Sequence, residues 1–134
     1  MKIFIAIVML CLSINCHSAT KDEHCLAVAI YEEASKTSLQ DQRAVYQVIV
    51  NRMKASDLSA CQVVKAHKQF SFVTSHTKWV ATQEMLSTLY TVRAMPKIFS
   101  SDILWFHANY VKPVWSKKLK LVYSTGIHKY YRKK

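Results

Sequence analysis

Along this chain the spacing of apolar residues changes once, at Met95-Pro96, and that change limits the fold more than any other feature. Before it, apolar residues recur at helical spacing. After it, short aromatic and aliphatic runs flank the chain's only glycine, Gly126. Proline stops a helix because it has no N–H to give and its ring crowds the preceding turn. The first stretch predicts helices over Glu23–Ala34, Leu39–Ala55, Ser59–Ala66 and Thr77–Arg93, the last with Trp79, Leu86, Leu89 and Val92 inward. Ser38-Leu39-Gln40-Asp41 has the spacing of a capping box at the start of the second helix. The second stretch predicts extended segments at Ile103–Ala108, Leu119–Ser124 and Ile127–Tyr131, with Thr125-Gly126 as a turn that uses glycine's access to positive φ. The expected fold class is α+β, helices first and then a small antiparallel sheet, without repeats or linkers.

Within the first helix one residue departs from the pattern. Taking Leu26 as the centre of the apolar face and advancing about 100° per residue, Glu33 returns to within about 20° of it. Glu32 points about 120° away, towards water. A carboxyl aimed at a core favours its neutral form, which makes Glu33 a candidate proton donor near neutral pH. A structural carboxyl capped by a neighbour would occupy the same place.

Residues Met1 to Ala19 have the form of a secretory signal: Lys2, an apolar run from Ile3 to Ile14, and the small pair Ser18-Ala19. The run is too short to span a bilayer comfortably, and the mature domain is expected over residues 20–134 as an exported monomer with no stable membrane span. Of the four cysteines, Cys11 and Cys16 fall in the leader. Cys25 and Cys61 remain, and an even pair in an exported chain favours a disulfide over two buried thiols. The six histidines are scattered and no Cys-x-x-Cys or His-Glu-x-x-His spacing occurs, so neither a metal nor another cofactor is expected. The net charge is +11, and Lys112 to Lys134 carries eight Lys or Arg and no acid. Such a surface attracts polyanions, and export favours anionic wall polymers or lipid over nucleic acid.

With these pieces placed, the sequence resembles the SleB-type cell wall hydrolases, the spore-cortex lytic enzyme family. The resemblance rests on Tyr31-Glu32-Glu33-Ala34, Ala44-Val45, Val50-Asn51-Arg52 and Gln69-Phe70-Ser71. It continues through Phe106-His107-Ala108-Asn109-Tyr110, Lys112-Pro113 with Trp115, and Gly126-Ile127-His128 with Tyr130-Tyr131. The chain departs from the family's pattern at Glu32, where glycine is usual, at Ser35, where arginine is common, and around Asp41-Gln42, where glycine opens the second helix.

The resemblance implies a small lysozyme-like, lytic-transglycosylase-like domain acting on peptidoglycan glycan strands at the bond between N-acetylmuramic acid and N-acetylglucosamine. It makes Glu33 the general acid, the residue that helical phase selects independently. Acids are scarce, with Asp41, Asp57, Glu84 and Asp102 the only ones after Glu33. Glycosidases of the ordinary kind need two carboxyls, so this scarcity favours lytic transglycosylase chemistry over hydrolysis. Candidate substrate contacts are Gln69 and Ser71 as hydrogen-bonding groups and Trp105, Tyr110 and Trp115 as stacking surfaces. His107 and His128 either orient substrate or satisfy buried backbone. Two alternative readings remain: a non-catalytic cationic wall-binding protein on the same fold, and a cationic membrane-active factor, which would need an amphipathic basic helix where the basic tail reads as strand and turn.

Overall fold

The computed structural model describes residues 17–66 and 69–134. The leader expected over residues 1–19 falls largely outside them. Four helices come first: α1 (Lys21–Ala34), α2 (Leu39–Ser56), α3 (Ala60–Lys65) and α4 (Gln83–Ala94). Three strands follow: β1 (Trp105–Ala108), β2 (Leu119–Ser124) and β3 (His128–Lys133), with a 3-10 helix over Val114–Lys118 between the first two. The strands pair antiparallel in the order β1-β3-β2. The α+β fold, helices first and sheet last, is as the change of period predicts.

The centre of the helical half is α1. Every residue from Cys25 to Ile30 is buried, because α2, α3 and α4 all pack around it. Its start is fixed two residues earlier than the apolar pattern suggests. Thr20 accepts from the Glu23 backbone N–H while the Glu23 carboxylate accepts from the Thr20 N–H, a reciprocal cap that satisfies two otherwise orphaned donors. A second such cap joins Ser59 and Gln62 at α3. Cys25 and Cys61 form a disulfide that ties α1 to α3. Breaking it, by reduction or by Cys25→Ala with Cys61→Ala, is expected to cost about 2–4 kcal/mol of stability. The measurement is the shift of the urea midpoint with and without reductant.

Two expectations need correction. Helix α4 begins at Gln83, not Thr77, since the Thr82 side chain accepts from the Met85 N–H and caps it there. The preceding segment is turn and extended chain instead, with Trp79 half-buried under the Lys65 ammonium, 4.9 Å from the ring centroid. At α2, Ser38 caps as predicted by accepting from the Asp41 N–H at 3.1 Å. The reciprocal half of that box is not made, because the Asp41 carboxylate is turned inward to other partners.

The sheet docks on α2 through Ala44, Val48, Ile103 and Tyr130, with Phe99, Phe106 and Tyr123 around them. Between α4 and β1 the chain has little regular structure, and α2 supplies its hydrogen bonds. Arg43 Nε donates to the Met95 and Pro96 carbonyls at 3.1 and 3.2 Å. Gln47 bonds both the Phe99 carbonyl and, at 2.8 Å, the Ile98 N–H. Asn51 Nδ2 donates to the Ser100 and Ile103 carbonyls at 3.1 and 3.0 Å. These three side chains recur every four residues, so one stripe of α2 holds the whole connection. Gly126 adopts φ +85°, as the turn requires.

Candidate active site

Glu33 lies in the last turn of α1, on the side facing α2 and the sheet. It is half-buried, whereas Glu32 is exposed, as helical phase predicts. Burial pushes the Glu33 carboxyl above its ordinary value; His128 and Arg52 pull it down, and the neighbouring Glu32 and Asp41 raise it further. It opens on a depression lined by Tyr31, Glu32, Ser35, Lys36 and Thr37.

Arg52, from α2, is the cation on one flank. Its Nε donates to the Leu104 carbonyl at 2.7 Å, and its guanidinium lies 5.3 Å from the Phe70 ring centroid and 5.8 Å from that of Phe106. Burial lowers its pKa to about 10 while Glu33 opposes the drop, so it stays charged at neutral pH. Its Nη1 is buried without a hydrogen-bond partner. Arg52 also lines a groove with Gln69, Leu58, Leu104 and Trp105, separate from the depression at Glu33. Ser71 is exposed in the neighbouring turn.

His128, on β3, forms the other flank. Its ring meets Phe106 edge-on at 5.3 Å, so Phe106 floors the space between histidine and arginine. Behind His128 stands Asp41, fully buried. Asp41 Oδ2 lies 2.7 Å from His128 Nδ1, while Oδ1 accepts from Thr125 at 2.6 Å and from the Tyr130 hydroxyl at 2.9 Å. Burial alone would raise the Asp41 pKa, yet the hydrogen bonds from His128, Thr125 and Tyr130 hold it below the ordinary carboxylate value. The carboxylate accepts from Nδ1–H, which leaves Nε2 as the ring's free nitrogen.

Sequence reasoning gives Asp41 no part in the site, treating it as a cap residue, a departure from the family's pattern and one of the few remaining acids. The signal was present: Asp41 shares a helical face with Ala44, Val45 and Val48, the same phase argument that singles out Glu33.

The other proposed contacts are not brought to Glu33. In β1 and β3, Phe106, His128 and Tyr130 face α2, so His107 and Tyr131 face the opposite side of the sheet. His107 has Nδ1 2.7 Å from the Ala108 carbonyl and Nε2 2.8 Å from the Tyr131 hydroxyl. Trp115 packs edge-on against both rings, at 5.5 and 5.6 Å. Tyr110 is exposed at the tip beyond β1. Among the described residues no group of His, Cys, Asp or Glu is placed to hold a metal ion, and no helix is long and apolar enough to cross a membrane.

A half-buried acid flanked by an arginine and a braced histidine, at the seam between a helical core and a small sheet, is an arrangement suited to proton transfer. The Cell Wall Hydrolase family matches residues 36–131, and the chain belongs to that family. The match opens at Lys36, just past the turn that carries Glu33, and takes in Arg52, Asp41 and His128. Neither curated proteins nor solved structures give a significant match. A cell wall hydrolase acts on peptidoglycan, and its domain belongs at the wall or outside the cell.

Proposed function

We propose that the protein is a peptidoglycan lytic transglycosylase that cleaves the bond between N-acetylmuramic acid and N-acetylglucosamine, with Glu33 as both acid and base. Glu33 protonates the glycosidic oxygen as the C1–O bond breaks. The resulting carboxylate then takes the proton of the muramic acid 6-hydroxyl while O6 bonds to C1. A 1,6-anhydro end forms, no water is consumed, and Glu33 regains its proton.

The state of Asp41 is the observation that carries this reading. A hydrolytic glycosidase needs a second carboxylate free to attack C1 or to activate water. Of the two other carboxylates that act on Glu33, Glu32 points to solvent. Asp41 is fully buried with both oxygens already accepting hydrogen bonds. Mass analysis of fragments released from purified peptidoglycan is the test: anhydro ends, lighter than hydrolysed ends by one water, support it, and reducing ends overturn it.

Gln69 and Ser71 are proposed to meet sugar amides and hydroxyls on the Arg52 side, and His128 to orient substrate on the other. Export is inferred from the leader, whose expected cleavage after Ala19 would leave the Thr20 cap of α1 intact. Arg52→Gln is expected to move the alkaline limb of the kcat/KM profile to higher pH. The arginine's charge favours ionised Glu33, so without it the acid stays protonated further up the scale. A lower rate with an unmoved limb would assign Arg52 to packing alone.

A further inference from the structure

The end of the sheet farthest from the Gly126 turn gathers most of the Lys and Arg found after β1. There the start of β2 meets the end of β3: Leu119 pairs with Lys133, and Lys120 with Arg132. Lys117 and Lys118 close the 3-10 helix that leads into β2. The Lys134 ammonium donates to the Lys117 carbonyl at 3.3 Å, which brings the end of the chain to the same place. Lys117, Lys118, Lys120, Lys133 and Lys134 are all exposed. The acid that reaches this end, Asp102, is taken by Arg132 at 3.2 Å. The five lysines have no carboxylate partner among the described residues. Like charges on facing strand positions repel, so the cluster works against the pairing of β2 with β3 until an anion neutralises it.

Exposure decides which anion suits such a cluster. A small anion on one exposed lysine is screened by water and salt and is held weakly. A long polyanion meets several lysines at once and sheds its own counterions in doing so, and the weak contacts add up. Lysine's ammonium is a point charge on a flexible stem, which suits a polymer that has no fixed register on the surface. A bilayer would gain most from apolar groups at the same end. The apolar residue of the cluster, Leu119, is half-buried, and the exposed Ile127 stands at the opposite end of the hairpin. Leu121 and Val122 are exposed further along β2, which makes the bilayer the rival that a test must exclude. We propose that the lysine end of the sheet binds a hydrophilic wall polymer carrying repeated anionic groups, laid across Lys117, Lys118, Lys120, Lys133 and Lys134. This surface is distinct from the depression at Glu33, and it stands or falls separately from the chemistry there.

Titration of the full chain with poly(glycerol phosphate), with no peptidoglycan present, tests it without involving Glu33. Lys117→Gln, Lys118→Gln, Lys120→Gln and Lys133→Gln together should weaken binding at low salt by about tenfold or more, with a shallower dependence of affinity on salt. Lys54→Gln, Lys78→Gln, Lys97→Gln and Lys112→Gln together remove the same charge from exposed positions elsewhere. That control should stay within about threefold of the parent, because charge beyond a Debye length is screened. Both variants should melt with the parent, since all of these side chains are exposed. Equal weakening in the two variants would mean attraction by net charge alone and would overturn the proposal. Absence of binding by the parent would overturn it too. So would tighter binding, per phosphate, to phosphatidylglycerol vesicles than to the polymer, which would assign the surface to a membrane.

Discussion

Glu33→Gln is expected to lower peptidoglycan cleavage by about 10²–10⁴-fold, the usual contribution of a general acid, with the fold intact. The amide keeps the volume of the side chain and cannot deliver a proton to the glycosidic oxygen. Because burial raises the Glu33 pKa in the folded protein, its effect on stability runs opposite to its effect on activity. A carboxyl with a raised folded pKa contributes stability below its unfolded value, and that contribution is lost as pH rises through the folded value. At neutral pH the glutamine variant is therefore expected to be at least as stable as the parent. Glu32→Gln, on the exposed side of the same turn, is the matched control and should stay active. Turbidity loss on purified walls and thermal melts read both effects. Normal lysis by Glu33→Gln would remove the catalytic assignment from Glu33, and absence of cleavage by the parent would leave the wall-binding reading of this fold.

Asp41→Ala is expected to destabilise the fold by about 3–5 kcal/mol, because it strips the shared acceptor from the buried His128, Thr125 and Tyr130. Asp41→Asn, which keeps one acceptor oxygen, should fall between that variant and the parent. The pH dependence has a definite sign. The folded pKa lies below the ordinary value of 3.8, so the stabilisation is present above that value and disappears as pH falls through the folded one. Urea titrations between pH 7 and pH 3 should show the parent converging on Asp41→Ala at the acid end. Equal destabilisation at every pH would mean that Asp41 acts through packing alone.

How far the sequence reveals these features depends on how local each signal is. Glu33 is found from phase because α1 is long and apolar enough to define a face. The turn at Gly126 is found because a single glycine sits between two strand-like runs, and the pairing of Cys25 with Cys61 because reading residues 1–19 as a leader sets the other two cysteines aside. Asp41 obeys the same phase rule as Glu33, yet a serine three residues earlier offers a nearer explanation for an acid in a first helical turn. Thr82 loses to Thr77 for a similar reason: Trp79 continues the apolar rhythm through a segment that is not helical. The bonds from Arg43, Gln47 and Asn51 span about fifty positions in sequence, and no local pattern announces them. That the two flanks of Glu33 come from α2 and β3 is a fact of docking, and the residues do not carry it individually.

The stripe on α2 that grips the stretch before β1 has one more consequence. Almost all of its bonds end on carbonyl oxygens, which every amino acid possesses, so the gripped stretch is recognised by its course and not by its letters. Between Pro96 and Asp102, the positions whose side chains do not pack or pair, unlike Ile98, Phe99 and Asp102, should therefore drift freely among relatives of this chain. Gln47 and Asn51, which read that course, should not.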